Sequence, residues 1–165
     1  MPTTVYLSLG SNLGDRVANL HAAIDRLKKA GRITRVSSFY ETEPVEFTAQ
    51  PWFLNCALEL ETDASPQQLM AAILEIEQNM GRTRTQTKGP RVIDLDILLF
   101  GNLTLDENGL TIPHPALHQR RFVLEPLSEI APGVLHPVLK RTILELRDAL
   151  PSGQALRKAG RGFDG

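Results

Sequence analysis

Asp94 and Asp96 stand two residues apart in the run Val92-Ile93-Asp94-Leu95-Asp96-Ile97, an apolar stretch that reads as a strand over 91–100. Residues two apart on a strand leave the same face with Cα atoms roughly 6.5 to 7 Å apart, so these carboxylates can converge on one ion. The same alternation puts Val92, Leu98 and Phe100 on that face, and two neighbouring anions on an apolar face resist desolvation unless a cation compensates them. A solvated strand face is the commoner use of an isolated Asp-x-Asp. Arg82, Arg84 and Arg91 shift the balance by bracketing the start of the strand. Guanidiniums beside a carboxylate pair suit a substrate carrying several phosphates with its own magnesium. Phosphoryl transfer depends on charge placed around the migrating group more than on a covalent nucleophile.

Further candidates follow along the chain. His114 lies between Pro113 and Pro115, which restrict its backbone. An isolated histidine most often makes a surface or core hydrogen bond, but Arg120 and Arg121 follow closely as phosphate binders, with the aromatic Phe122 beside them. Trp52, Phe53 and Phe122 could sandwich a flat heterocycle, and Asn55, on the same strand face as Phe53, could offer a donor and an acceptor to its edge. For each aromatic alone, core packing is the more frequent use. Gly10 to Gly14 lacks the Gly-Lys-Ser or Gly-Lys-Thr of a P-loop, and no Gly-x-Gly-x-x-Gly is present. Nucleotidyltransferases that pair Gly-Ser with Asp-x-Asp keep the two close together, whereas here most of the domain separates Gly10-Ser11 from Asp94.

The elements that must carry these residues are legible in outline. Alternation of Val5, Leu7 and Leu9 predicts a strand over 4–9, broken by Gly10-Ser11-Asn12-Leu13-Gly14. Val17, Leu20, Ile24 and Leu27 predict a helix over about 15–30, with Gly31 as its stop. Strands are expected over 32–40 and 53–61. Between 53–61 and the aspartate strand, Ser65-Pro66-Gln67-Gln68 reads as a capped helix start, with Leu69, Ile73, Ile76 and Met80 as the buried stripe and Gly81 as the end. The order β-α-β-β-α-β predicts an α+β, ferredoxin-like fold with an antiparallel sheet. Beyond it, a hairpin around Asp106-Glu107-Asn108-Gly109 and short helices such as 142–149 would add a helical layer. The connections 41–52 and 82–90 are longer than the fold requires, which marks them as ligand-enclosing loops.

The chain has 165 residues, 42% hydrophobic, enough for one domain spanning 1–159 with a flexible tail at 160–165. Lys and Arg number 18 against 19 Asp and Glu, so no overall field draws in nucleic acid or an anionic membrane. One cysteine rules out an internal disulfide framework and a cysteine metal cluster. No signal-like start or membrane-spanning run is present, so a cytoplasmic location is expected.

Several motifs together resemble the 6-hydroxymethyl-7,8-dihydropterin pyrophosphokinase family. They are Gly10-Ser11-Asn12-Leu13-Gly14; Val36-Ser37-Ser38-Phe39-Tyr40 with Thr42 and Pro44; Gln50-Pro51 with Phe53-Leu54-Asn55; and Glu77 with Gly81-Arg82 and Arg84. The run Gly89-Pro90-Arg91-Val92-Ile93-Asp94-Leu95-Asp96 through Gly101, and then Pro113-His114-Pro115, Arg120, Phe122 and Pro126-Leu127, complete the set. The resemblance covers 4 to about 137. It implies that a hydroxymethyl oxygen attacks the β-phosphorus of ATP, giving the pterin diphosphate and AMP. Asp94 and Asp96 would hold two magnesium ions, and Arg82 and Arg91 would stabilise the transferring group. The nucleotide would meet Glu77, Arg84, Arg91, Ile97, Leu110, Thr111, His114 and Arg120. The pterin would stack between Phe53 and Phe122, with Asn55, Thr42, Pro44 and Val45 at its edge. The substrates would be ATP and the pterin, and the protein would act as a monomer with no nucleic-acid or membrane partner.

This chain departs from the family pattern at Lys88, where an aromatic is common, at Glu43, where a second proline is common, at Phe53 in place of a frequent tyrosine, and at Pro115. These changes point to altered affinities for the same reaction. A ferredoxin-like RNA-binding module is the rival reading. Its difficulty is the aspartate pair, which repels phosphate without metal. An inactive relative would be expected to lack one of Arg82, Arg91, Asp94 or Asp96, and all four are present.

Overall fold

The computed structural model describes residues 2–43, 52–81, 92–107, 109–151 and 156–160. The chain opens with β1 (Thr3–Ser11), α1 (Arg16–Leu27), β2 (Arg32–Val36), β3 (Phe39–Thr42), β4 (Phe53–Thr62), α2 (Pro66–Asn79) and β5 (Asp94–Phe100). β1 runs antiparallel between β4 and β5, while β2 and β3 both pair antiparallel with β4. With β2 and β3 counted as one interrupted strand, this is the ferredoxin-like arrangement expected. The interruption lies at Ser37. Its hydroxyl takes the place of a backbone acceptor for the Ala57 N–H at 2.9 Å, and its own N–H donates to the Ala57 carbonyl at 2.8 Å. A side chain thus completes the ladder where the strand breaks.

Each sheet face buries a separate apolar cluster. On one, Leu20, Ala23, Ile24 and Leu27 of α1 and Leu69, Ile73 and Ile76 of α2 pack on Val5, Leu7, Leu9, Leu54, Cys56, Leu58 and Leu60. The expected stripe is corrected at Val17, which is 50% exposed; Ala23 takes the inward place. The capping box of α2 forms as read, with Gln68 N–H donating to the Ser65 hydroxyl and Ser65 N–H donating to the Gln68 side chain. Gly81, at φ 93°, ends that helix in the left-handed region. Gly31 serves a different purpose from the helix stop expected of it: a Cβ there would lie 2.3 Å from the Glu61 carbonyl oxygen, so it is a close-approach position where the chain turns into β2.

The remaining elements are the hairpin β6 (Leu105–Glu107) and β7 (Leu110–Ile112), a single 3-10 turn at Leu117–Gln119, α3 (Arg121–Ile130), α4 (Ile143–Asp148) and β8 (Leu156–Gly160). α3 and α4 form the extra layer, packing Val123, Leu124, Leu127, Ile130, Ile143 and Leu146 against Tyr6, Ala57, Leu98 and Leu99 on the second sheet face. β8 joins the outer side of β3, giving the order β5-β1-β4-β3-β8. Gly160, expected to open a flexible tail, is the last residue of this strand; 161–165 lie outside the described residues. Among the described residues no helix is long and apolar enough to cross a membrane.

Candidate active site

The site begins in the register of the sheet. Asp94 of β5 pairs with Gly10 of β1, Gly10 with Asn55 of β4, and Asn55 with Tyr40 of β3. One row therefore crosses four strands, and paired residues project to the same face. The next row joins Asp96 to Ser8 and Ala57, and on the other side Thr42 pairs with Phe53. The carboxylate pair and the Asn55 amide share the sheet face that α3 covers further along, separated by two strand spacings, about 9 to 10 Å.

One expectation for that face is corrected. The pairing slips between Tyr6 and Leu7: Tyr6 faces Leu99, but Leu7 faces Ile97. Leu98 is the extra residue of a bulge, and a bulge reverses the alternation beyond it. Leu98 and Leu99 both enter the α3 cluster, while Phe100 points to the α1 and α2 side. Asp94 and Asp96 keep Leu98 as an apolar neighbour and lose Phe100.

Asn55 is 4% exposed. Thr42 Oγ1 donates to its Oδ1 at 2.7 Å, which turns Nδ2 over β1, where a Cβ on Gly10 would stand 2.6 Å from it and 3.5 Å from the Phe53 ring. The amide thus offers its N–H donors toward the carboxylate side, and the missing side chain of Gly10 makes the room. Gly10→Ala would drive a methyl into the Asn55 amide and should lower folding stability by about 1 kcal/mol, the size of one displaced hydrogen bond, in denaturant unfolding.

His114 sits at the other end of the carboxylate pair. Its N–H donates to the Leu98 carbonyl at 3.0 Å, which lays the segment along the outer edge of β5. Its Nδ1 accepts the Ala116 N–H at 3.1 Å. Nδ1 is therefore unprotonated and Nε2 carries the hydrogen, 3.9 Å from Asp96 Oδ1. Burial, reinforced by Arg120 and opposed by Asp94, lowers the pKa from the ordinary 6.5 to about 4, so the ring is a neutral donor facing the site. The unfolded chain binds more protons than the folded one between these values. Stability is therefore full above 6.5 and declines as the pH falls toward 4. Acidification from about pH 7 to about 4.5 should lower the thermal midpoint less in His114→Asn than in the parent protein.

The other residues expected near the nucleotide divide between the two faces. Glu77, 1% exposed, accepts the Leu95 N–H at 2.9 Å and ties α2 to the strand between the two aspartates. Ile97 and Leu110 lie in the α1 and α2 cluster. Thr111 is exposed, its hydroxyl 3.3 Å from Asp106 Oδ1, and with His114 it lines a cavity of about 410 Å³ that also takes in Asp106, His118 and His136. Phe122, on the first turn of α3, packs against the second cluster with the Arg120 guanidinium 5.5 Å above its ring. Arg82, Arg84, Arg91, Pro44 and Val45, with the departure at Lys88, lie outside the described residues.

Two features escaped the sequence reading. Tyr40, in the Asn55 row, donates to Glu129 Oε1 of α3 at 2.5 Å, and Ser38 donates to the same carboxylate through its N–H and its hydroxyl. The second is a charged cluster of Arg16, Glu41 and Arg157 beside Thr42. There the Arg157 guanidinium, with Arg16 behind it, holds the Glu41 carboxyl below the usual carboxylate range. Trp52, read as a stacking candidate, lies with its ring under Arg157.

As a metal site the pair fits magnesium: two hard carboxylate oxygens leave most of an octahedral shell to water and phosphate, magnesium's usual environment beside a polyphosphate. Among the described residues no group of three or more His, Cys, Asp or Glu side chains is placed to hold a metal.

Known proteins share this sequence and this fold. The 2-amino-4-hydroxy-6-hydroxymethyldihydropteridine pyrophosphokinase of Bacillus subtilis is 44% identical over 136 residues, covering 81% of each chain. Its Aquifex aeolicus counterpart is 40% identical over 144 residues, 87% of this chain and 90% of that one. The folic acid synthesis protein FOL1 of Dictyostelium discoideum is 44% identical over 149 residues, and there the match spans 90% of this chain but 23% of the relative's length. The wild-type HPPK-DHPS crystal structure of Plasmodium falciparum shares the fold, with a TM-score of 0.71 at 17% identity over 90% of this chain and 44% of that one. The family model for 7,8-dihydro-6-hydroxymethylpterin-pyrophosphokinase matches residues 6–132; with the aspartate pair and the Asn55 amide set in one sheet face, the chain belongs to that family.

Proposed function

We propose that this chain transfers a diphosphate from ATP to the hydroxymethyl oxygen of 6-hydroxymethyl-7,8-dihydropterin, releasing AMP and the pterin diphosphate, as a step of folate biosynthesis. The observation that supports this reading is the row Asp94, Gly10, Asn55, with a carboxylate suited to a metal-bound polyphosphate and an amide suited to a heterocycle edge on one sheet face. The oxygen that must attack and the phosphorus that must receive it are thereby held as neighbours, which removes much of the entropic barrier.

The pterin lies over Gly10, stacked between Phe53 and Phe122, with its edge on the Asn55 amide, Thr42 and the backbone near Pro44 and Val45. The nucleotide crosses the outer edge of β5, with its base side at Glu77, Ile97, Leu110 and Thr111 and its phosphates turned over the edge toward Asp94 and Asp96. Asp94 and Asp96 would hold two magnesium ions, which when bound neutralise triphosphate charge and favour in-line attack. His114 Nε2–H and Arg120 donate to phosphate oxygens, and Arg84 and Arg91 add charge along the triphosphate. Arg82 and Arg91 stabilise the diphosphate while the bond from the β-phosphorus to the AMP oxygen breaks and the pterin oxygen bond forms. The hydroxyl proton is released. We read the protein as a cytosolic monomer that uses no nucleic-acid or membrane partner.

The test is to incubate the full chain with ATP, magnesium and the reduced hydroxymethyl pterin and identify the nucleotide released. AMP that appears only with pterin supports the assignment. ADP, or no turnover by folded protein, overturns it.

A further inference from the structure

We propose that β8 straps the pterin side of the site and that Arg157 is a positioning residue for pterin binding; this rests on the assignment of Thr42, Phe53 and Asn55 to the pterin. The family match ends at residue 132, and β8, at Leu156–Gly160, lies beyond it. The strand pairs Leu156 with Thr42, Arg157 with Glu41 and Lys158 with Tyr40, so it covers the edge of the strand that carries Thr42.

The side chains make the connection specific. Arg157 Nη2 donates to Glu41 Oε2 at 2.8 Å, and its guanidinium stands 5.2 Å over the Trp52 ring. From the start of α1, Arg16 Nη2 donates to Glu41 Oε1 at 3.2 Å and Nη1 to the Trp52 carbonyl at 2.9 Å. Two guanidiniums thus grip the same two residues, one from the helix and one from the C-terminal strand. Glu41 immediately precedes Thr42, and Trp52 immediately precedes Phe53. Thr42 and Phe53 are themselves paired, and Thr42 orients the Asn55 amide. A shift at Glu41 or Trp52 is therefore passed directly to three of the pterin contacts.

Arg157 is 70% exposed and Glu41 20%, so the ion pair is partly screened and the expected effect is moderate. In the full chain, Arg157→Ala should raise the pterin KM about three- to tenfold, as loss of an exposed ion pair and a cation–π contact allows. The kcat and the ATP KM should stay within about twofold, and Arg157→Lys, which keeps the charge, should recover much of the loss. An unchanged pterin KM, or equal losses for both substrates, overturns the positioning role. Amide hydrogen exchange in the substrate-free protein gives a reading independent of activity: Arg157→Ala should speed exchange at Thr42 and Phe53, and unchanged rates there overturn the strap. If the parent protein releases no pterin-dependent AMP, the proposed reaction fails while the exchange result still decides the strap.

Discussion

Asp96→Asn should lower turnover about 10³-fold, the scale of losing a charged metal ligand at the centre of phosphoryl transfer. The substitution keeps the shape of the side chain and removes one of two anions on a strand face where Leu98 is the apolar neighbour. Asp96 is 38% exposed and its shape is kept, so the protein should still fold and the thermal midpoint should stay close to the parent value. Loss of rate without loss of fold separates a metal ligand from a structural carboxylate. Raising magnesium should restore little of the rate, because the neutral amide oxygen holds the ion more weakly than a carboxylate does. Near-normal turnover in a folded Asp96→Asn protein would remove the metal assignment.

Asn55→Leu should have the second largest effect, on the other half of the site. Leucine has the branched shape of asparagine in a somewhat larger volume but carries neither donor nor acceptor, so the pterin edge would lose the partner proposed for it and the hydroxyl of the buried Thr42 would lose its acceptor. A site built to hydrogen-bond its substrate discriminates strongly when a partner is removed. The pterin KM should rise about 10²-fold, with the ATP KM nearly unchanged. Folding stability should fall by about 1 to 3 kcal/mol for the stranded hydroxyl, measurable by denaturant unfolding. Equal losses for both substrates would mean that Asn55 supports the sheet rather than the pterin.

The parts of this site that the sequence discloses are those set by short-range periodicity. Asp94 and Asp96 share a face because they are two apart, and the same holds for Phe53 and Asn55. Joining the two pairs needed the register of β1 against both neighbours, a long-range fact that no local pattern records. Gly10 illustrates this: it reads as part of a turn signal, yet it is paired within β1 and is needed small because the Asn55 amide crosses above it. The face that alternation predicts for Phe100 is wrong because one bulge residue, Leu98, reverses the alternation while leaving the sequence smoothly apolar. α3 is not among the helices expected from the sequence; Pro126 lies inside it, although Val123, Leu124, Leu127 and Ile130 keep helical spacing. β8 was illegible for a further reason: its partners Glu41 and Trp52 lie about a hundred residues earlier.

The central claim is that phosphorus is transferred as a diphosphate from the face holding Asp94 and Asp96, and the most direct test follows the β-phosphorus. With ATP labelled at that atom, magnesium and the reduced hydroxymethyl pterin, all transferred label should appear in the pterin diphosphate, and the nucleotide product should be unlabelled AMP. Label retained in a nucleotide product, with only the γ-phosphate reaching the pterin, would contradict it.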